Sequence, residues 1–145
     1  MSTRIDFRDT LVELVKEMKV FSNENILLYR KDRVDATPAV SVTLGKMTSE
    51  HDGMSEDDCQ SVTRQISCAV DFYLDEAAGN DADAVMDGWL TQFEKLVLKA
   101  AEEGRFSDRD VQLDEAIFNP TETSRERRGD LVTLWSLEVY ENVEL

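Results

Sequence analysis

Residues 65–74, Gln-Ile-Ser-Cys-Ala-Val-Asp-Phe-Tyr-Leu, put the tightest limit on what this chain can fold into. Ile66, Cys68, Val70, Phe72 and Leu74 alternate with Gln65, Ser67, Ala69, Asp71 and Tyr73. Successive side chains of a strand point to opposite faces, so this run sets one apolar face in a core and turns the other toward water. It predicts a long strand in a sheet that is covered on one side.

The neighbouring stretches fill in that layer. Val40, Val42 and Leu44 alternate with Ser41 and Thr43. Pro38 has no backbone N–H and suits the start of that strand. An earlier apolar run, residues 25–30, predicts a first short strand, followed by a turn-rich connection to Pro38. Before it, Phe7, Leu11, Leu14 and Met18 recur at helical spacing, with Val15 widening the stripe. Ser2 or Thr3 can cap this helix, Asp6 favours its positive end, and Asn23 and Asn25 break the pattern.

A second helix is predicted over 82–103, capped by Asn80 or Asp81 and stopped at Gly104. Val85, Trp89, Phe93, Leu96 and Ala100 form its stripe. Gly88 is unfavourable there by about 1 kcal/mol relative to Ala. It marks either close packing against the sheet or a tolerated position. Residues 110–118 and 130–141 read as a final strand pair, joined by Asn119, Pro120 and the polar segment to Gly129. Leu131, Trp135, Leu137 and Val139 share one face of the last strand, so Trp89 and Trp135 are both expected in the core. The order α-β-β-β-α-β-β predicts a single α+β domain over 1–145. Its mostly antiparallel sheet has about five strands and carries two amphipathic helices on one face.

Charge excludes several functions. Sixteen Lys and Arg stand against 31 Asp and Glu, a formal net charge of -15. A field of that sign repels phosphate backbones, so specific nucleic-acid binding is not expected. No run approaches the ~20 apolar residues of a membrane helix. The first ten residues carry charge early and no continuous apolar run, unlike a secretory leader. Cys59 and Cys68 are too few for a disulfide framework and lack metal-type spacing. Reduced thiols and intracellular assembly are the simplest expectation.

Catalytic chemistry has little to work with. His51 is the chain's only histidine, and it lies in residues 46–60, which read as a polar hairpin loop. Cys59, His51 and Asp57 are nucleophile, base and carboxylate by type, but a nucleophile needs its base held in place by a third group. No nucleophile elbow, phosphate-binding glycine loop or two-histidine metal motif appears. Glu50, Asp52, Glu56, Asp57 and Asp58 could collect Ca²⁺ or Mg²⁺, yet they lack the alternating ligand positions of an EF-hand loop. They read as a solvated acidic loop, and no metal, cofactor or catalytic residue is expected. Arg128, Gly129 and Asp130 spell the integrin-type tripeptide, a chance match in a chain with no extracellular signal. Arg125, Arg127 and Arg128 crowd into four positions just before the last apolar stretch.

Several stretches, in order, resemble the tail terminator proteins of long non-contractile phage tails, the lambda minor tail protein U type. These are Thr-Pro-Ala-Val-Ser-Val-Thr-Leu at 37–44, the alternating strand at 64–74, the Trp-bearing helix start at 81–93, and the last strand at 131–141. The loop 46–60 and the connection 119–129 are longer than the pattern. The resemblance implies a hexameric ring, with no catalytic step, on the head-proximal end of the virion's tail tube. It implies contacts with further copies of the chain, with the major tail tube protein and with a head-completion connector. A ring built by rotation joins two different patches. On that reading Arg125, Arg127, Arg128 and Asp130 are candidate contacts to a neighbouring subunit or the tube. The acidic residues Glu50, Asp52, Glu56, Asp57 and Asp58 are further candidate contacts. Carboxylates facing the channel would keep DNA moving, or else the acidity serves solubility alone. Two other readings stay open: a neighbouring neck protein (head-closure or tail-completion), and a small acidic inhibitor or DNA mimic that binds a basic partner.

Overall fold

The computed structural model describes residues 3–29, 37–55, 58–75, 81–106, 110–122 and 127–144. Helix α1 (Thr3–Glu17) buries Phe7, Leu11, Leu14 and Val15, with Met18 just beyond its end, so the predicted stripe is the buried one. Lys19, at φ 59, turns the chain out of the helix. The apolar run 25–30 makes less strand than its composition predicts. Asn23–Asn25 form a 3₁₀ turn, as asparagine favours, and only Ile26–Leu27 (β1) pair, parallel to Val40 and Ser41. Asn25 fastens this junction by donating Nδ2–H to the Pro38 carbonyl at 3.2 Å.

Four long strands carry the rest of the sheet: β2 (Ala39–Ser55), β3 (Cys59–Asp75), β4 (Val111–Glu122) and β5 (Arg127–Glu144). The order across the sheet is β1-β2-β3-β5-β4, and every pair except β1–β2 is antiparallel. The expected loop at 46–60 is instead mostly strand. Thr48 pairs with Gln65, Glu50 with Thr63 and Ser55 with Cys59, while Glu138–Glu144 of β5 continue along the other side of β3. The result is a three-stranded arm whose β2 residues, from Lys46 to Gly53, are exposed on both faces. Hydrophobic alternation reports only strands with one buried face, and the β2 part of the arm, exposed on both faces, carries no such signal. The expected connection 119–129 also shortens: Asn119–Glu122 belong to β4, and Arg127–Gly129 to β5. Pro120 is accommodated because β4 is an edge strand.

Helix α2 (Ala82–Glu102) starts on Asp81, whose carboxylate accepts the Ala84 N–H at 3.2 Å. It stops at Gly104, φ 78, where Gly104 N–H reaches the Ala101 carbonyl and Arg105 N–H the Ala100 carbonyl. This paired arrangement satisfies carbonyls that a helix end leaves open. The buried stripe of α2 is Ala82, Met86, Phe93, Val97 and Ala100, rotated slightly from the predicted one. Val85, Trp89 and Leu96 sit at its margin, half-buried. An added Cβ on Gly88 meets nothing within 4 Å, so close packing does not explain that glycine. Gly88→Ala is expected to raise stability by about 1 kcal/mol, seen as a higher thermal midpoint.

Both helices lie on one face of the sheet, α1 over β2 and β3, α2 over β3, β5 and β4. Between them runs a line of rings. Trp89 meets Phe21 at 5.1 Å, Phe21 stacks on Phe72 at 6.0 Å, Phe72 meets Phe93 at 6.0 Å, and Phe93 meets Trp135 edge-on at 5.3 Å. On the other face, Gln65 is exposed as expected, but Asp71 and Tyr73 are buried. They lie between β2 and β5, where Ser41 and Val132 flank Asp71, and Ala39 and Asp130 flank Tyr73. The Tyr73 hydroxyl stands 3.3 Å from Ser41 Oγ.

Candidate functional site

The two groups of predicted contact residues occupy opposite ends of the sheet. Glu50 and Asp52 lie on β2 in the arm, and Asp58 is exposed in its turn at φ 57. Glu56, Asp57 and Arg125 lie outside the described residues. At the other end, Arg127 stands in register with Glu122, Arg128 with Thr121 and Asp75, and Asp130 with Asn119 and Tyr73. Along β3, Thr63 marks the Glu50 rung and Asp75 the Arg128 rung. At about 3.3 Å per residue these rungs are ~40 Å apart. The acidic arm and the Arg127–Arg128 pair therefore lie toward opposite ends of the strands.

On the helix-free face of the arm, Glu50, Asp52 and Glu138 gather around Thr48, Thr63 and Gln65. Thr63 Oγ1 donates to Asp52 Oδ2 at 2.6 Å, and a bulge between His51 and Gly53 places Asp52 for it. The Tyr140 hydroxyl donates to Glu138 Oε1, and this acceptor pushes the phenol's pKa up. A hollow of about 360 Å³ lies over Thr48, Glu50, Thr63, Gln65 and Glu138. Its walls offer hydroxyl, amide and carboxylate groups, suited to a polar or cationic partner surface. Among the described residues, no group of three or more His, Cys, Asp or Glu is placed to hold a metal ion.

The opposite face of the arm is tied to the body. Arg64 Nε donates to Glu141 Oε2 at 2.9 Å, its Nη1 to Ser49 at 3.1 Å, and Thr3 Oγ1 donates to Glu141 Oε1 at 3.1 Å. This network joins β2, β3, β5 and the start of α1. Sequence alone gives no sign of it, because the partners meet only through register. A second network holds Arg105, just after α2, against Glu17 and Glu13 of α1 at 3.1 and 3.3 Å. Beside it, a cleft of about 170 Å³ is lined by Asp6, Thr10, Arg105 and Phe106. That is below the usual size of a small-molecule site.

The residues weighed for catalysis are not assembled. His51 pairs with Val62 on one face of the arm, and Cys59 pairs with Ser55 on the other. Cys68 is a buried free thiol. Burial pushes the Cys68 thiol from 9.0 up to about 12, which keeps it protonated in the fold. Below pH 9 Cys68 is protonated whether folded or not. Above it only the unfolded chain ionises, so this residue lowers stability as pH rises from 9 toward 12. Native protein at pH 8 is expected to leave Cys68 unmodified by a thiol reagent, with modification appearing only in denaturant.

No protein-family model matches this chain, and neither does any curated protein. Among solved structures, a chain of the virion of a native gene transfer agent (GTA) particle is similar to it at 15% identity and a TM-score of 0.35. That similarity covers 89% of this chain and 84% of the other. A likeness of this size carries no argument about function. No described helix is long and apolar enough to cross a membrane.

Proposed function

We propose that this chain is a tail terminator: a ring at the head-proximal end of a non-contractile tail tube that ends tube growth and presents the head-joining surface. One observation carries the reading. The stretches 37–44, 64–74 and 131–141, which resemble that family, fall on β2, β3 and β5, three neighbouring strands of one sheet. The resembling helix segment starts α2, which packs on two of these strands, β3 and β5. The resemblance therefore covers neighbouring strands of one sheet and the helix that packs on two of them.

The work of such a protein is binding without a chemical step, and charged groups of both signs toward the two ends of the strands fit it. A rotational ring needs two unlike patches on each copy, and an arginine can grip a carboxylate bidentately, fixing register. The partners on this reading are copies of the chain, the tail tube protein and a head-completion protein. Carboxylates of the arm, if they line the channel, repel phosphates and leave DNA free to pass. Deleting the coding sequence from the parent virion's genome tests the proposal. Electron microscopy of the lysate should then show filled heads with no joined tails, and tubes of irregular length. Normal, joined particles would overturn it.

A further inference from the structure

The sheet ends on one side at β4, and no strand among the described residues covers the outer side of that strand. An edge strand offers unpaired N–H and C=O groups, and proteins commonly blunt it with lysine, a bulge or proline. β4 has a register shift at Leu113/Glu115 and a proline at 120. Between them Glu115, Ala116, Ile117 and Phe118 run in unbroken register with Leu134, Thr133, Val132 and Leu131. No lysine or arginine occurs anywhere in residues 110–122.

The side chains along this edge form a pattern. Successive residues of a strand project from opposite faces. Ile117 shares the helix-free face with Glu115, on the rungs of Val132 and Leu134, while Phe118 and Ala116 lie on the other face. Ile117 is 41% and Phe118 38% exposed. Asp110, Asp114 and Glu115 are exposed too. The edge therefore presents an apolar pair, one residue to each face, preceded by three carboxylates.

We propose that β4 accepts an extended segment of a different protein as a further strand. That segment sets an apolar pair against Ile117 and Phe118 and a lysine or arginine against Glu115. In strand addition the backbone hydrogen bonds supply affinity, and alternate side chains supply selectivity. Apolar pairs and opposite charges directly across two strands are favourable, and like charges are not. Charge complementarity assigns the segment to another protein, because the open edges of this chain are acidic. β4 has no cation, and β2 beyond Ser41, where β1 no longer pairs, sets Lys46 against Glu50 and Asp52. The formal net charge of -15 also draws a basic segment in from a distance. Nothing in this contact depends on the terminator reading.

The test uses the full chain and a labelled synthetic peptide, Lys-Thr-Val-Val-Thr-Lys, whose pattern reads alike in either direction. Fluorescence anisotropy measures binding, and amide hydrogen exchange followed by NMR locates it. The peptide should bind and slow exchange at amides of residues 115–118. Methylating both valine amides keeps the side chains and removes backbone donors. That change, replacement of both lysines by glutamates, and Ile117→Asp in the protein should each weaken binding roughly tenfold or more. The milder Ile117→Ser should weaken it less, with both variants checked for folding by circular dichroism. The peptide comparisons use the wild-type chain and stand even if a variant unfolds. No binding at millimolar peptide overturns the proposal, as does undiminished binding by the methylated peptide, the glutamate peptide or folded Ile117→Asp. So does a peptide-free chain whose 115–118 amides lose protection on dilution, because a second copy then holds the edge.

Discussion

Trp135→Ala is expected to remove about 3–5 kcal/mol of folding stability, the range for a large aromatic truncated in a core. That is a large share of the ~5–15 kcal/mol a domain of this size holds. Trp135 is buried on β5 and meets Phe93 edge-on at 5.3 Å, so its loss breaks the line of rings that joins the sheet to α2. Its indole also belongs to a small polar relay. Nε1–H donates to Thr133 Oγ1 at 2.8 Å, and that hydroxyl donates to the Val70 carbonyl at 2.7 Å. Thr133→Val keeps the volume but strands the indole N–H, so it should cost about 1–3 kcal/mol. Urea unfolding followed by circular dichroism gives both values. A Trp135→Ala loss below 1 kcal/mol would contradict this account of the core.

Reversing the arginine cluster should leave the fold and remove the function. The triple change Arg125→Glu, Arg127→Glu, Arg128→Glu acts at the start of β5 and, in sequence, just before it. There Arg127 and Arg128 occupy the last rungs opposite Glu122 and Thr121. If these guanidinium groups hold carboxylates of a neighbour or of the tube, glutamates turn each attraction into like-charge repulsion, a cost of several kcal/mol across an interface. Tails should then grow past their normal length and fail to join heads, while circular dichroism stays that of the wild type. Tails of normal length, joined to heads, would remove the arginines from the contact surface.

The parts of this fold legible in the sequence are those where water lies on one side only. Ile66 to Leu74 and the α1 stripe of Phe7, Leu11 and Leu14 read correctly because burial imposes a period that the residues display. The arm did not, since Thr48, Glu50, Thr63 and Tyr140 are wetted strand residues whose pairing is set by backbone register. Residues 25–30 misled in the other direction: an apolar run became two residues of strand and two exposed side chains, Leu28 and Tyr29. The candidate contacts were legible as charge clusters, but their ~40 Å separation follows from β3 being one uninterrupted strand between them. Ile117 and Phe118 read in sequence as ordinary strand residues. Only the sheet order makes β4 an edge and exposes them.

The proposed place of this chain is a ring at one end of a tail tube, and cryo-electron microscopy of tails purified from the parent virion, fitted with this fold, is the decisive measurement. One ring of this chain is expected at the head-proximal end, with the arm and the start of β5 in contact with different surfaces. Tails that lack the chain, or that carry it along the whole tube, would overturn the proposal.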